Sequence, residues 1–208
     1  MTDFTVIKTL FGLSEPVGFR DELIQLGIEE NGGLPQVLID YYSELGEHEG
    51  LNCVQDYLVK PQQLQGYETD DFLVFWCENQ DITQWGIRKE DLHLPNPPVY
   101  ANCDENGWEK EKDSLTEFFD MVAHFQALFA LPYRNEGLLA VTAEKAKLVR
   151  KTFRRKEVQM PDWYGVEFYG NEADCVIGLM KNGDSFGVMY ASNNEVHFKN
   201  MESAICQR

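Results

Sequence analysis

A stripe of apolar side chains marks the longest helix that the sequence predicts. Counted from the first member, they occur at positions i+3, i+4, i+7, i+10 and i+14: Leu115, Phe118, Phe119, Val122, Phe125 and Phe129. This spacing places them on one face of an amphipathic helix. Ser114 and Glu117 have the form of a capping box at its start, and Pro132 cannot continue it. The pattern therefore predicts a helix over residues 114–131, with the aromatic stripe in the core.

Two runs rich in aromatic and β-branched residues indicate a β-hairpin before this helix. Residues 72–77 are apolar throughout. Because successive side chains of a strand point to opposite faces, both faces of this strand are apolar. We therefore expect a central strand buried on both sides, with Trp76 in the core. The polar residues 78–81 then form a turn, and residues 83–87 form the second strand.

Shorter patterns supply the remaining predicted elements. Helices are expected over residues 16–27, 35–46 and 142–153, and strands over residues 55–59, 99–102, 164–169, 175–180, 186–190 and 196–198. Asn182-Gly183 is a strong hairpin signal between two of the later strands. The order predicts an α+β fold, with a central, mostly antiparallel sheet flanked by helices within residues 1–135. Residues 136–208 add a helix and an antiparallel meander that packs on, or extends, the same domain.

The chain carries a strong and uneven negative charge. The net charge is −17 at pH 7; residues 1–133 hold 25 acidic and 7 basic residues, and residues 134–208 hold 10 and 11. Such a field repels nucleic acid and anionic lipid and attracts cationic partners, although a large net charge also simply keeps a protein soluble. We therefore expect the basic helix at residues 142–153 to be solvated, or to contact the acidic part of the chain, rather than to bind nucleic acid.

Composition argues against a membrane span and against a disulfide framework. No stretch reaches the roughly 18 consecutive apolar residues that cross a bilayer, and the first residues lack the basic start of a signal peptide. The five cysteines include no Cys-x-x-Cys spacing. We therefore expect a cytoplasmic protein with reduced, mostly buried thiols and no membrane partner.

Motifs for catalysis and metal binding are missing from the sequence. No His-x-x-x-His, Gly-x-Ser-x-Gly or phosphate-binding glycine motif occurs. A His93–Cys103 nucleophile pair is one catalytic alternative. Asp70-Asp71 and Asp104-Glu105 could each hold a divalent cation or form an acidic turn in water. We expect no enzymatic activity, no cofactor and no metal ion.

Short motifs follow one another in an order that resembles a known superfamily. They are Leu34-Pro35 with Tyr41 and Gly46, Phe75-x-x-Glu78-Asn79-Gln80, Trp85-Gly86-Ile87, Pro97-Pro98-Val99-Tyr100, Trp108, and Ser114-Leu115 with Phe118-Phe119. Over roughly residues 15–135 this order resembles the SUKH superfamily, which includes a fungal cell-wall-assembly regulator and many bacterial immunity proteins.

The resemblance implies an α+β domain with a non-catalytic binding role. In bacteria such proteins commonly bind and neutralise a cognate polymorphic toxin, often a nuclease. Because nucleases bind phosphate through Lys and Arg they are basic, and an acidic inhibitor can be steered onto them. The fungal branch implies the alternative of a regulatory scaffold that docks on cellular proteins.

The candidate partner-binding residues are those that we expect at the surface near the turns of the first sheet. They are Glu78, Gln80, Trp85, Asp104 and Glu105. Trp76, Trp85 and Trp108 are also natural first targets for mutation, because tryptophan is enriched at binding hot spots.

Overall fold

The chain divides into two compact units. The computed structural model describes residues 1–80, 82–103, 107–161, 165–183 and 185–206. Unit 1 comprises residues 1–3 and 15–119, and unit 2 comprises residues 4–14 and 120–208. The boundary between Phe119 and Asp120 therefore falls inside the long helix, earlier than the boundary that we predicted at residue 135.

Unit 1 is an antiparallel sheet with helices. Its helices are α2 (Asp21–Glu30), α3 (Gln36–Leu45), α4 (Glu49–Asn52) and the first residues of α5 (Leu115–Ala130), with 3₁₀ turns at Pro61–Tyr67 and Lys89–Asp91. Its strands are β1 (Asp56–Leu58), β2 (Phe72–Glu78), β3 (Thr83–Arg88), β4 (Val99–Cys103) and β5 (Trp108–Lys112). The five strands pair in sequence order, and every pair is antiparallel. This arrangement confirms the predicted α+β class.

The core of unit 1 lies where α5 begins. All seven residues of β2 are buried, which confirms the predicted central strand and places Trp76 in the core. Phe118 lies 5.3 Å from Phe75 and 6.0 Å from Trp76 and from Trp85, measured between ring centroids. The predicted cap of α5 is also present, since the Glu117 N–H donates to the Ser114 hydroxyl over 3.2 Å. Five residues of the predicted stripe are buried and Phe129 is half-buried, so the stripe lies in the core, as predicted.

Unit 2 contains the second sheet. Its helices are α1 (Thr5–Phe11), the remainder of α5, α6 (Ala143–Thr152) and α7 (Glu195–Cys206). Its strands are β6 (Tyr133–Arg134), β7 (Leu139–Val141), β8 (Val166–Tyr169), β9 (Cys175–Asn182) and β10 (Ser185–Ser192). The order is β6-β10-β9-β8, with β7 also on β10, so the later strands form their own sheet and do not extend the first one.

Helices cover both faces of the second sheet. On one face, Ile177 and Tyr190 share a buried cluster with Val149 of α6 and Met201 of α7. On the other face, Gly178 lies so close to α5 that an added Cβ would be 2.5 Å from Leu128 Cδ1. Helices pack on both faces, and Cys175–Leu179 of β9 and Gly187–Ser192 of β10 are buried.

The predicted basic helix is present, and part of its charge is neutralised within unit 2. Thr142 caps α6 by accepting a 3.3 Å hydrogen bond from the Lys145 N–H. The Arg150 guanidinium pairs with the Glu167 carboxylate on β8. Lys147 and Lys151 are exposed. The predicted hairpin is also present, because Asn182 pairs with Ser185 across it.

Several predicted elements were wrong or missing. Residues 196–198 lie in the first turn of helix α7 and form no strand, because the Asn194 side chain caps this helix by accepting from the Val196 N–H at 2.9 Å. The helix predicted from residue 16 begins at Asp21 and continues past Gly27, whose added Cβ would lie 2.8 Å from the Pro61 carbonyl oxygen. The prediction also missed α1, α4, β5, β6 and β7.

The cysteines are less buried than predicted, and they form no disulfide. Cys77 and Cys175 are buried, Cys103 is half-buried, and Cys53 and Cys206 are exposed. The described residues contain no helix with both the length and the apolar composition that crossing a membrane requires.

Candidate functional site

The first sheet has one face that stays partly open. Residues directly opposite each other in an antiparallel pair lie on the same face. The strand registers therefore place Tyr57, Cys77, Gln84, Asn102 and Trp108 in one row across all five strands. Of these only Cys77 is buried, and the other four are half-buried. We call this side of the sheet the open face.

Three aromatic rings pack together on the open face. Trp108 stacks on Phe72 with 4.1 Å between ring centroids and 12° between ring planes. Tyr100 meets Phe72 edge-on at 5.6 Å. Gly86 makes room for the indole, because an added Cβ would lie 3.0 Å from both Cη2 and Cζ3 of Trp108. Trp108 and Tyr100 thus stay half-buried but held in place.

Trp108 also lines a cleft of about 390 Å³, which we call the Trp108 cleft. The other residues that line it are Asp70, Asp71, Phe72, Arg88, Lys89 and Glu90. Asp70, Asp71, Arg88 and Glu90 are exposed, so the cleft opens to solvent. It combines an aromatic wall with a charged rim.

The cations of this cleft are already engaged within unit 1. Arg88 Nη1 lies 3.4 Å from Glu90 Oε1, and its guanidinium carbon lies 4.6 Å from the centre of the Tyr100 ring. Lys89 Nζ lies 2.7 Å from Glu68 Oε2. In the part of the chain that the structure describes, no cation pairs with the carboxylate of Asp70 or Asp71. These two aspartates therefore carry the uncompensated charge of the cleft.

A second cleft lies beside the first and shares Lys89 with it. It has a volume of about 510 Å³ and is lined by the loop between α2 and α3 together with Glu68, Leu73, Leu92 and His93. The Lys89–Glu68 ion pair contributes to its wall. Glu30, Glu68 and His93 are exposed, so this cleft also opens to solvent.

Two of the predicted partner-binding residues are not at the surface. Trp85 is 0% exposed and packs against Phe118, so the prediction that it lies at the surface was wrong. Glu78 is 3% exposed. Its carboxylate accepts hydrogen bonds from the Gln80 N–H at 2.7 Å and from the Ile82 N–H at 3.5 Å. Glu78 therefore stabilises the backbone of the turn and does not face a partner.

The other three candidates stand differently. Gln80 is exposed at this turn and remains a predicted contact. Asp104 and Glu105 lie outside the described residues. Because Glu78 and Trp85 are buried, these two residues cannot belong to one exposed site with Gln80.

Glu78 has a second role as the cross-strand neighbour of a buried acid. Asp56 pairs directly with Glu78 between β1 and β2, and Asp56 is 1% exposed. Burial, together with the negative charge of Glu78, raises the pKa of Asp56 to about 7. Two acidic side chains are thus neighbours in the interior. This placement lowers the stability of the fold, and neither side chain is accessible to a partner.

Among the described residues, the structure assembles neither the His93–Cys103 pair nor a metal site, and Asp104-Glu105 lie outside those residues. His93 Nδ1 lies 2.7 Å from the Glu90 carbonyl oxygen, whereas the Cys103 thiol accepts from the Thr83 hydroxyl at 3.6 Å. Each side chain of the proposed nucleophile pair therefore has a different partner. Among the described residues, no group of three or more His, Cys, Asp or Glu side chains is arranged to hold a metal ion.

The aromatic wall of the cleft was only partly visible in the sequence. The sequence marks Trp108 as part of a family motif and as a target for mutation, and Asp70-Asp71 as either a cation site or an acidic turn. The available signal was one large aromatic in an otherwise charged segment, Trp-Glu-Lys-Glu-Lys, which is typical of an exposed edge strand with a functional residue. Its packing on Phe72 depends on strand register, which no local pattern showed.

Comparison with known proteins adds no assignment, since no family model, no curated protein and no solved structure matches the chain. Its function must therefore be inferred from the charge and geometry of the chain itself.

Proposed function

We propose that this chain is a non-catalytic binding protein of the immunity type, which neutralises a basic toxin domain such as a nuclease. The observation that carries the proposal is the separation of charge between the two units. Unit 1 contains 24 acidic and 6 basic residues, a net charge of 6 − 24 = −18. Unit 2 contains 11 acidic and 12 basic residues, a net charge of 12 − 11 = +1.

Most of the acidic side chains of unit 1 face solvent. Of the 21 that the structure describes there, 15 are exposed: Asp3, Glu15, Asp21, Glu22, Glu29, Glu30, Glu47, Glu49, Glu68, Asp70, Asp71, Glu90, Glu109, Asp113 and Glu117. Charges at the surface produce a long-range field that accelerates encounter with an oppositely charged protein, up to about 10⁸–10⁹ M⁻¹s⁻¹ at low salt. Rapid capture suits a protein that must intercept a lethal enzyme.

Steering alone gives speed but little affinity, and the open face supplies what is missing. Hot spots of protein interfaces are enriched in Trp, Tyr and Arg. Trp108, Tyr100 and Arg88 lie together on the open face, and all are at least partly exposed. The motif order that resembles the SUKH superfamily supports the same proposal, because the resemblance implies binding without catalysis.

The proposal can be tested by capture followed by a protection assay. The full chain is immobilised, exposed to lysate of its native host, and eluted with a salt gradient. We expect one dominant basic protein that elutes at high salt. That protein should arrest growth when it is expressed alone and be harmless when it is expressed together with the chain. A parallel capture on a carboxylate resin is the control, because it identifies proteins that bind through charge alone.

Two results would count against immunity. A partner that binds more tightly as salt rises would contradict electrostatic steering. Several weakly bound, harmless clients would instead favour the regulatory scaffold, the alternative that the fungal branch of the resemblance implies.

A further inference from the structure

We propose that the Trp108 cleft receives an arginine or lysine side chain of the basic partner and is the anchoring point of the interface. This inference rests on the proposed function, and it adds the site and the chemistry that the site recognises. The cleft lies entirely within unit 1, which carries the acidic surface.

The first support is the aromatic wall. A cation within about 6 Å of an indole ring is attracted by the ring electrons, and tryptophan is the strongest such partner among the side chains. Trp108 stacks on Phe72 and has Gly86 beneath it, so its ring is oriented before any partner arrives. A pre-oriented ring loses little conformational entropy on binding.

The second support is the charge that remains after internal pairing. Arg88 pairs with Glu90 and Lys89 pairs with Glu68. The carboxylates of Asp70 and Asp71 remain beside the aromatic wall. An incoming guanidinium or ammonium group would meet both the ring and two carboxylates, whereas an anion would meet uncompensated negative charge.

The internal Arg88–Tyr100 contact shows that this face already accommodates a cation on an aromatic ring. The guanidinium lies 4.6 Å from the Tyr100 ring centre and remains exposed. In the Trp108 cleft, the indole ring of Trp108 likewise lies near acidic side chains, those of Asp70 and Asp71. The volume of about 390 Å³ and the open rim suit a side chain presented by a protein surface.

The test uses a nona-arginine peptide as the probe and the full chain as the receptor. The variant Asp70→Asn/Asp71→Asn removes two charges from the cleft. The matched control, Glu15→Gln/Glu47→Gln, removes two exposed charges from elsewhere in unit 1. We expect the cleft variant to bind the peptide about tenfold more weakly and the control to lose about twofold or less. Equal losses in the two variants would overturn the proposal.

A second measurement reads the ring itself and does not depend on stability. The chain is labelled with 5-fluorotryptophan, and the Trp108 resonance is the one that disappears in Trp108→Phe, a change that keeps an aromatic ring on Phe72. Saturating peptide should shift the Trp108 resonance and leave the resonances of buried Trp76 and Trp85 in place. A Trp108 resonance that does not move would overturn the proposal.

These results separate the inference from the proposed function. If the captured host protein proves harmless but the peptide still shifts Trp108, immunity is wrong and the cation site stands. If the chain protects against a toxin but the cleft variant behaves like its control, the function stands and the partner is anchored elsewhere.

Discussion

The two sheets of this protein are built alike and exposed differently. Each has five strands joined in antiparallel pairs. The second sheet is covered on both faces, by α6 and α7 on one and by α5 on the other. The first sheet has the start of α5 on one face. On its other face Trp108 stacks on Phe72, and Tyr57, Gln84 and Asn102 are half-buried.

The distribution of charge follows the same division. The unit with the open face carries the net charge of −18, and the unit with the covered sheet is close to neutral. A need for solubility would not require one unit to hold all of the surplus acid. The proposed binding role would explain why the acidic surplus and the open aromatic surface occur in the same unit.

The largest expected effect separates the two faces of the first sheet. Trp85→Ala removes a fully buried indole that packs against Phe118, and it should lower the free energy of unfolding by about 3–5 kcal/mol. Trp108→Ala removes a half-buried ring and should lower it less. Urea denaturation measures both changes. Equal losses would show that Trp108 is part of the core and that the face is not open in the sense we describe.

A second prediction concerns buried acid in unit 1. The folded pKa of Asp56, about 7, lies above the ordinary value of 3.8. The folded state therefore binds the proton more tightly, and stability falls as pH rises from about 4 to about 7. Asp56→Asn abolishes this slope. Its unfolding free energy relative to the unmodified chain should be higher at pH 8 than at pH 4, by up to about 4 kcal/mol.

His124 in unit 2 is the matched comparison, and its pH dependence has the opposite sign. Burial lowers the pKa of His124 from 6.5 to about 4, so the folded state resists protonation and stability falls as pH drops from 6.5 towards 4. The unfolding free energy of His124→Gln relative to the unmodified chain should therefore be higher at pH 4 than at pH 8. A common slope for both variants would mean that neither buried group controls the pH dependence.

Long, strongly periodic elements were predictable from sequence, because their signals are local. The stripe from Leu115 to Phe129 and the all-apolar β2 each carry their pattern within a few turns or alternations. The cap residues Ser114 and Thr142 marked helix starts through their own hydrogen bonds. These elements fixed the α+β class.

The errors came from signals that are ambiguous locally. Asn194 suits a turn and a helix cap equally well, so the choice depended on the apolar spacing of Phe198, Met201 and Ile205, which is helical. Very short strands such as Tyr133–Arg134 carry almost no pattern and exist because β10 offers them a partner.

The candidate site was harder to predict than the fold because it depends on strand register. Trp85 and Trp108 are both tryptophans in strands of the same sheet. Pairing opposite Trp76 places Trp85 beneath α5, and pairing opposite Asn102 places Trp108 on the open face. A register difference of one residue would exchange faces, and nothing in the local sequence sets it.

The smallest expected effect is a difference between the two units in how much salt stabilises them. Repulsion among the exposed acids of unit 1 opposes its compact state, and salt screens that repulsion over a Debye length of about 10 Å at 0.1 M. Raising the ionic strength should therefore slow hydrogen exchange of β2 and β3 amides by an amount that corresponds to less than about 1 kcal/mol. Amides of β9 and β10, in the nearly neutral unit, should change little. Equal slowing in both sheets would indicate that salt acts on the whole chain through burial of apolar surface, and that the surplus acid of unit 1 does not destabilise that unit.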